Sequence, residues 1–272
     1  MEHRGLDAYG YFEREGSLGQ VQAEFRGLVA AARERIAEAY GRRLHSAYLY
    51  GSVPRGTARP GRSDLDLLIA LHHAPGEEDR DTTEALAHGL DEEFAEIDGV
   101  GILLYGKDRL LSEQERYDLG WFLACLCTPL LGSDLAEHLP RYRPDGLLAR
   151  ETNGDLAELL PRVRERIRDA ATPQEYRKLC RGVSRHLVRT GFTLVMPRWG
   201  GWTSDLTESA EVFAQYYPER ADQMRAAAAA ALDPVSDPAV LRAYVEDLGP
   251  WLADEYAARH GTKTARPDAG GS

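Results

Sequence analysis

The segment from Ala47 to Leu71, AYLYGSVPRGTARPGRSDLDLLIAL, constrains the fold more than any other part of the chain. Tyr48, Leu49 and Tyr50 favour a strand and run straight into Gly51-Ser52. Glycine has no Cβ, so the backbone can turn sharply there and approach a ligand closely. A loop with Arg55, Gly56, Arg59, Pro60, Gly61 and Arg62 follows, then Ser63-Asp64-Leu65-Asp66 and the apolar run Leu67 to Leu71. The pattern predicts strand, tight turn, polar loop and second strand. Residues two apart in a strand share a face. Asp64 and Asp66 therefore point one way, toward the turn, while Leu65, Leu67 and Ile69 enter the core.

Two carboxylates on one face repel each other unless a cation lies between them. Magnesium suits that place, because it is a hard ion that takes one or two carboxylates together with substrate phosphates. The N–H groups of the Gly-Ser turn, with the Ser52 hydroxyl, can hold a phosphate oxygen nearby. A D-x-D pair alone is usually ordinary surface chemistry. The turn, the spacing and the strand context together point to metal-dependent chemistry on a nucleoside triphosphate.

Gly51-Ser52, a short basic and Gly-rich loop, Asp64-Leu65-Asp66 and an apolar run resemble the signature of the polymerase-β-like nucleotidyltransferase superfamily. The resemblance implies that Asp64 and Asp66 hold magnesium, and that Gly51, Ser52, Arg55 and Ser63 position the triphosphate of ATP. It also implies a third carboxylate on the third strand, as metal ligand or general base. That strand is predicted over Gly99 to Tyr105, and the acid's place falls near Gly101. Asp98 is the best substitute and the expected catalytic base, although it is in step with the core-directed Val100 and Ile102; Glu96 and Asp108 lie on either side.

Farther along, LLGSDLAEHLPRYRPD resembles a segment of the streptomycin/spectinomycin-type aminoglycoside adenylyltransferases, where it leads from the last strand into a helical domain. This second likeness implies AMP transfer from ATP to a hydroxyl of a small amino-sugar antibiotic, with an active site in the cleft between two domains. In that family a lysine often precedes a helix of the second domain and reaches the nucleotide. Here the matching Ser204-Asp205-Leu206 has none, so Arg198 or an arginine of the stripe Arg177, Arg181, Arg185 and Arg189 would replace it. Arg185 is the nucleotide-binding candidate. Asp205 and Glu208 are candidates for a cationic substrate, and Trp121 for stacking on it, with a core tryptophan the commoner case.

The expected fold class is α+β. A mixed nucleotidyltransferase sheet with flanking helices covers 15–143, a helical bundle covers 144–261, and a disordered tail covers 262–272. Helices are predicted from Gly19 to Leu44 and Thr82 to Glu96, with HHAPGEEDRD between strand and helix as a solvated loop. Another runs from Leu147 to Ala170, interrupted at Asn153-Gly154 or at Pro161. Thr172-Pro173-Gln174-Glu175 opens a further helix to about Val188, Ser204 or Thr203 caps the next, and a last one spans Val240 to His260.

The formal net charge of −11 argues against a dedicated nucleic-acid binder. The three cysteines show neither zinc spacing nor a disulfide framework, which suits a reducing cytoplasm, and no stretch approaches a membrane span. Two other functions fit the residues. One is the same chemistry on tRNA or protein, as in a toxin. The other is nucleotide binding without catalysis, because the third carboxylate is not evident.

Overall fold

The computed structural model describes residues 4–266. It forms two compact units, one of residues 13–141 and the other of Arg4–Phe12 together with 142–266. The first unit holds α1 (Arg26–Tyr40), β1 (Leu44–Tyr50), β2 (Leu65–Leu71), α2 (Glu77–Glu93), β3 (Val100–Gly106), α3 (Lys107–Leu110), α4 (Leu119–Trp121) and β4 (Thr128–Gly132). The strands form one mixed sheet in the order β3-β2-β1-β4. β1 is antiparallel to both β2 and β4, and β2 is parallel to β3. The fold is α+β, as the sequence leads one to expect.

Alternation along β2 sorts its side chains between two layers. Leu65, Leu67, Ile69 and Leu71 join Leu28, Ile36, Leu86 and Leu90 under α1 and α2. Leu68 and Ala70 join Tyr48, Leu110, Leu123 and Cys127 on the other face. The sheet is covered on both sides, which is why the end of β2 reads as an unbroken apolar run. Asp66 is in step with Leu68 and Ala70, at the open end of that second face.

In the sheet unit, two helices start elsewhere than predicted. α1 begins only at Arg26, after short 3-10 turns at Leu18–Gln20 and Ala23–Phe25. α2 begins at Glu77, so the acidic GEEDRD stretch is largely helix rather than loop. Buried Asp79 explains this. It accepts from Gly76 N–H (2.9 Å) and Arg43 Nη1 (2.5 Å), and lies 3.1 Å from His73 Nε2, fixing the helix start against the end of the sheet. Burial alone would raise its pKa, but the Gly76 N–H, His73 and Arg43 together bring it below the ordinary carboxylate value.

The second unit holds α5 (Gly146–Asn153), α6 (Leu156–Asp169), α7 (Pro173–Trp199), α8 (Leu206–Tyr216), α9 (Ala221–Leu232), α10 (Pro238–Ala243) and α11 (Gly249–His260). The interruption after α5 falls at Asn153-Gly154, whereas Pro161 is carried inside α6. Thr172 caps α7 through a reciprocal pair: Glu175 N–H donates to Thr172 Oγ1 (3.2 Å) and Thr172 N–H to Glu175 Oε2 (2.9 Å). α7 runs well past Val188 because Phe192, Leu194, Val195 and Met196 continue its buried side. It ends at Gly200, in the left-handed conformation. Asp205, not Ser204 or Thr203, caps α8, accepting from Glu208 N–H at 2.8 Å.

The first turns of the chain belong to this unit: Trp202 N–H donates to Arg4 O (2.8 Å) and Phe12 N–H to Tyr142 O (2.9 Å). At the other end, the segment expected to be disordered is held as far as Arg266. Lys263 N–H donates to Gly154 O (3.0 Å), Thr264 Oγ1 to Glu151 (2.8 Å), and Arg266 Nη1 to Glu151 (2.9 Å). Residues 267–272 of that expected tail lie outside the described residues. Among the described residues no helix is long and apolar enough to cross a membrane.

Candidate active site

The turn after β1 is anchored, not free in solvent. Val53, Pro54 and Ala58 are buried, and Thr57 N–H donates to Ser52 O (3.0 Å) and Gly56 N–H to Val53 O (3.2 Å). Gly51 has φ 78°, a conformation that side chains resist. It needs to be glycine for a second reason as well. A Cβ at Gly51 would collide with Asp66 Oδ2, so the carboxylate lies directly against the turn.

Strand pairing puts Asp66 across from Tyr50 on β1 and from Gly101 on β3. A Cβ on Gly101 would be 3.3 Å from Asp66 Oδ1, and one on Gly99 3.7 Å from Asp64 Oδ1. Both carboxylates, half-buried, thus stand beside glycine backbone at the entry to β3. The loop before them is closed by Ser63. Its hydroxyl accepts from Arg59 N–H (2.9 Å) and its own N–H donates to Arg59 O (3.0 Å).

Asp98 is exposed, two residues before β3, and its N–H donates to Ser63 O at 3.1 Å. The backbone therefore brings Asp98 next to the start of the D-x-D segment, while Gly101 occupies the register position beside Asp66. Arg55 is part-buried and lies 3.3 Å from Glu15. Arg185 is half-buried on α7 in the helical unit, between buried Ser184 and Leu187. Trp121 is buried. Arg198 lies over the ring of Tyr216, 4.4 Å from its centroid. Glu15 is the residue that sequence reasoning missed. It sits in a stretch with no periodicity, far from the motif, and only the fold brings it to Arg55.

Among the described residues no group of three or more His, Cys, Asp or Glu side chains is arranged to hold a metal ion. The donor set is a pair of carboxylates around a glycine cradle that a Cβ would fill. A pair suits magnesium, whose remaining positions go to phosphate oxygens and water.

Residues 30–117 match the nucleotidyltransferase domain family. The segment that holds the turn and both aspartates is thus similar to a nucleotidyltransferase domain. The Gly51 turn, both aspartates, Asp98 and Gly101 lie inside the matched nucleotidyltransferase region, while Glu15 and Arg185 lie outside it. The chain is also similar in fold to spectinomycin adenyltransferase AAD(9) from Enterococcus faecialis, whose crystal structure contains ATP and spectinomycin. The TM-score is 0.55 and the identity 15%, over 85% of this chain and 98% of that one. No curated protein sequence matches the chain.

Proposed function

We propose that this chain is a magnesium-dependent nucleotidyltransferase that moves AMP from ATP to a hydroxyl of a small molecule, an aminoglycoside-type antibiotic, releasing pyrophosphate. The observation that carries the reading is Asp66 held against the Gly51 turn, inside a matched nucleotidyltransferase domain. Likeness in fold to an enzyme solved with ATP and spectinomycin supports the substrate class.

Asp64 and Asp66 would hold magnesium, which supplies charge neutralisation on the triphosphate and the leaving pyrophosphate. The N–H groups of Gly51 and Ser52, the Arg55 guanidinium and the loop closed by Ser63 orient the phosphates. The acceptor oxygen forms a bond to the α-phosphorus as the bond to the β-phosphate oxygen breaks. Asp98, beside Ser63, takes the hydroxyl proton.

The test is pyrophosphate release from ATP and magnesium across a panel of aminoglycosides, with Asp64→Asn/Asp66→Asn as the blank. Release that depends on one antibiotic and disappears in the blank is expected. Nucleotide binding without release on any acceptor would sink the antibiotic reading, leaving macromolecular acceptors or binding alone.

A further inference from the structure

The residues just before the matched domain are packed against the phosphate turn at several points. Ser17 N–H donates to Pro54 O at 3.0 Å. A Cβ on Gly16 would be 3.0 Å from Pro54 O and 2.9 Å from Thr128 Oγ1, and one on Gly56 would be 2.7 Å from Gln20 O. Glu15 Oε2 is 3.3 Å from Arg55 Nη1, with both side chains largely shielded from solvent. The same segment is fastened on its other side. Glu15 N–H donates to Cys125 O (2.9 Å), Arg14 Nε to Ala124 O (3.2 Å), and Arg14 Nη2 is 2.8 Å from Asp134. Residues 14–20 therefore lie between a fixed anchor and the turn.

A guanidinium has five N–H donors on a flexible stem, and a single carboxylate contact leaves the others free to meet phosphate. An arginine without such a contact loses rotamer entropy each time it orders on a ligand. We infer that Glu15 is a positioning residue, holding Arg55 in the orientation in which its remaining donors meet the triphosphate, and that segment 14–20 is a brace for the phosphate turn. This rests on the nucleotidyltransferase reading above and extends the nucleotide site upstream of the matched residues. Glu15 touches no reacting atom, and its proposed effect on the nucleotide is exerted through Arg55.

The experiment is a double-mutant cycle read as ATP affinity in the presence of magnesium, by calorimetry, together with KM and kcat for ATP in the pyrophosphate assay. Glu15→Gln should weaken ATP binding and raise KM about fivefold, the upper end for a part-exposed ion pair, with kcat nearly unchanged. In an Arg55→Ala background the same substitution should have no effect, and Glu15→Asp should recover part of the loss. An equal loss in the Arg55→Ala background would overturn the inference, as would unchanged or tighter ATP binding by Glu15→Gln. Wild-type protein that binds no ATP would sink the nucleotidyltransferase reading too; wild-type binding with Glu15→Gln unaltered would sink this inference alone.

Discussion

The sheet unit and the helical unit both contain carboxylates out of full contact with water, but they use them differently. Asp64 and Asp66 are half-buried at a strand entry, beside glycines that leave room around them. Glu151 in the helical unit is buried and surrounded: it accepts from Arg150 Nε (2.8 Å), Thr264 Oγ1 (2.8 Å) and Arg266 Nη1 (2.9 Å). On the proposed reading the paired carboxylates of the sheet unit serve a cation and phosphates, whereas the bonds that surround Glu151 serve stability. Substitutions in the first unit should change catalysis more than folding, and in the second the reverse.

The largest effect should come from Gly51→Ala. The methyl group meets Asp66 Oδ2 and the φ of 78° strains any L-residue, so the turn or the carboxylate must shift. A displacement of that kind is expected to lower pyrophosphate release by on the order of 10²-fold. The stability loss should be smaller, about 1–2 kcal/mol in urea unfolding. Near-normal turnover with a large stability loss would break the contrast between the units.

Glu151→Gln should do the opposite. It leaves part-exposed Arg150 and largely shielded Arg266 without their carboxylate, and about 2 kcal/mol of stability should be lost. Burial would raise the Glu151 pKa, yet bonds from Arg266, Thr264 and Arg150 outweigh it and bring the value below 4.5. A depressed folded-state pKa gives stability that is present above the unfolded value and lost as pH falls through the folded one. The wild-type advantage over Glu151→Gln should therefore hold at neutral pH and shrink below about pH 4.5, read by urea midpoints across pH. A constant difference down to acid pH would show that the charge of Glu151 contributes nothing.

How far each unit could be read from sequence follows from the same difference. The sheet site is a local pattern: Gly51, Asp64 and Asp66 fall within one strand–turn–strand, and period-two alternation says which way the acids face. The α+β class and most helices were legible for the same reason. Asp79 is a partial failure, since a cap that depends on Arg43 and His73 is a tertiary feature and made GEEDRD look like loop. Glu15 beside Arg55, and Arg266 beside Glu151, were not legible at all. Each pair joins positions far apart in the chain, and no periodicity marks either partner.

The smallest effect should come from His186, which belongs to the same buried polar side of the helical unit. Its Nε2 and the Oδ1 of Asp155 are buried without a hydrogen-bond partner. Burial is the main cause that lowers its pKa below 6.5, with Arg189 and Lys263 acting in the same direction against Asp155. Burial in the folded protein thus disfavours the protonated imidazole, while the unfolded chain takes a proton near 6.5. Stability supplied by this group is complete above that value and declines as pH falls from it toward the lower folded pKa. Wild-type melting temperature should drop more steeply than that of His186→Gln between neutral pH and about pH 5.5, the range in which unfolded histidine charges. Parallel curves would mean that His186 is already protonated or solvated in the fold, and that the helical unit is less closed around its polar groups than the sheet unit is around Asp66.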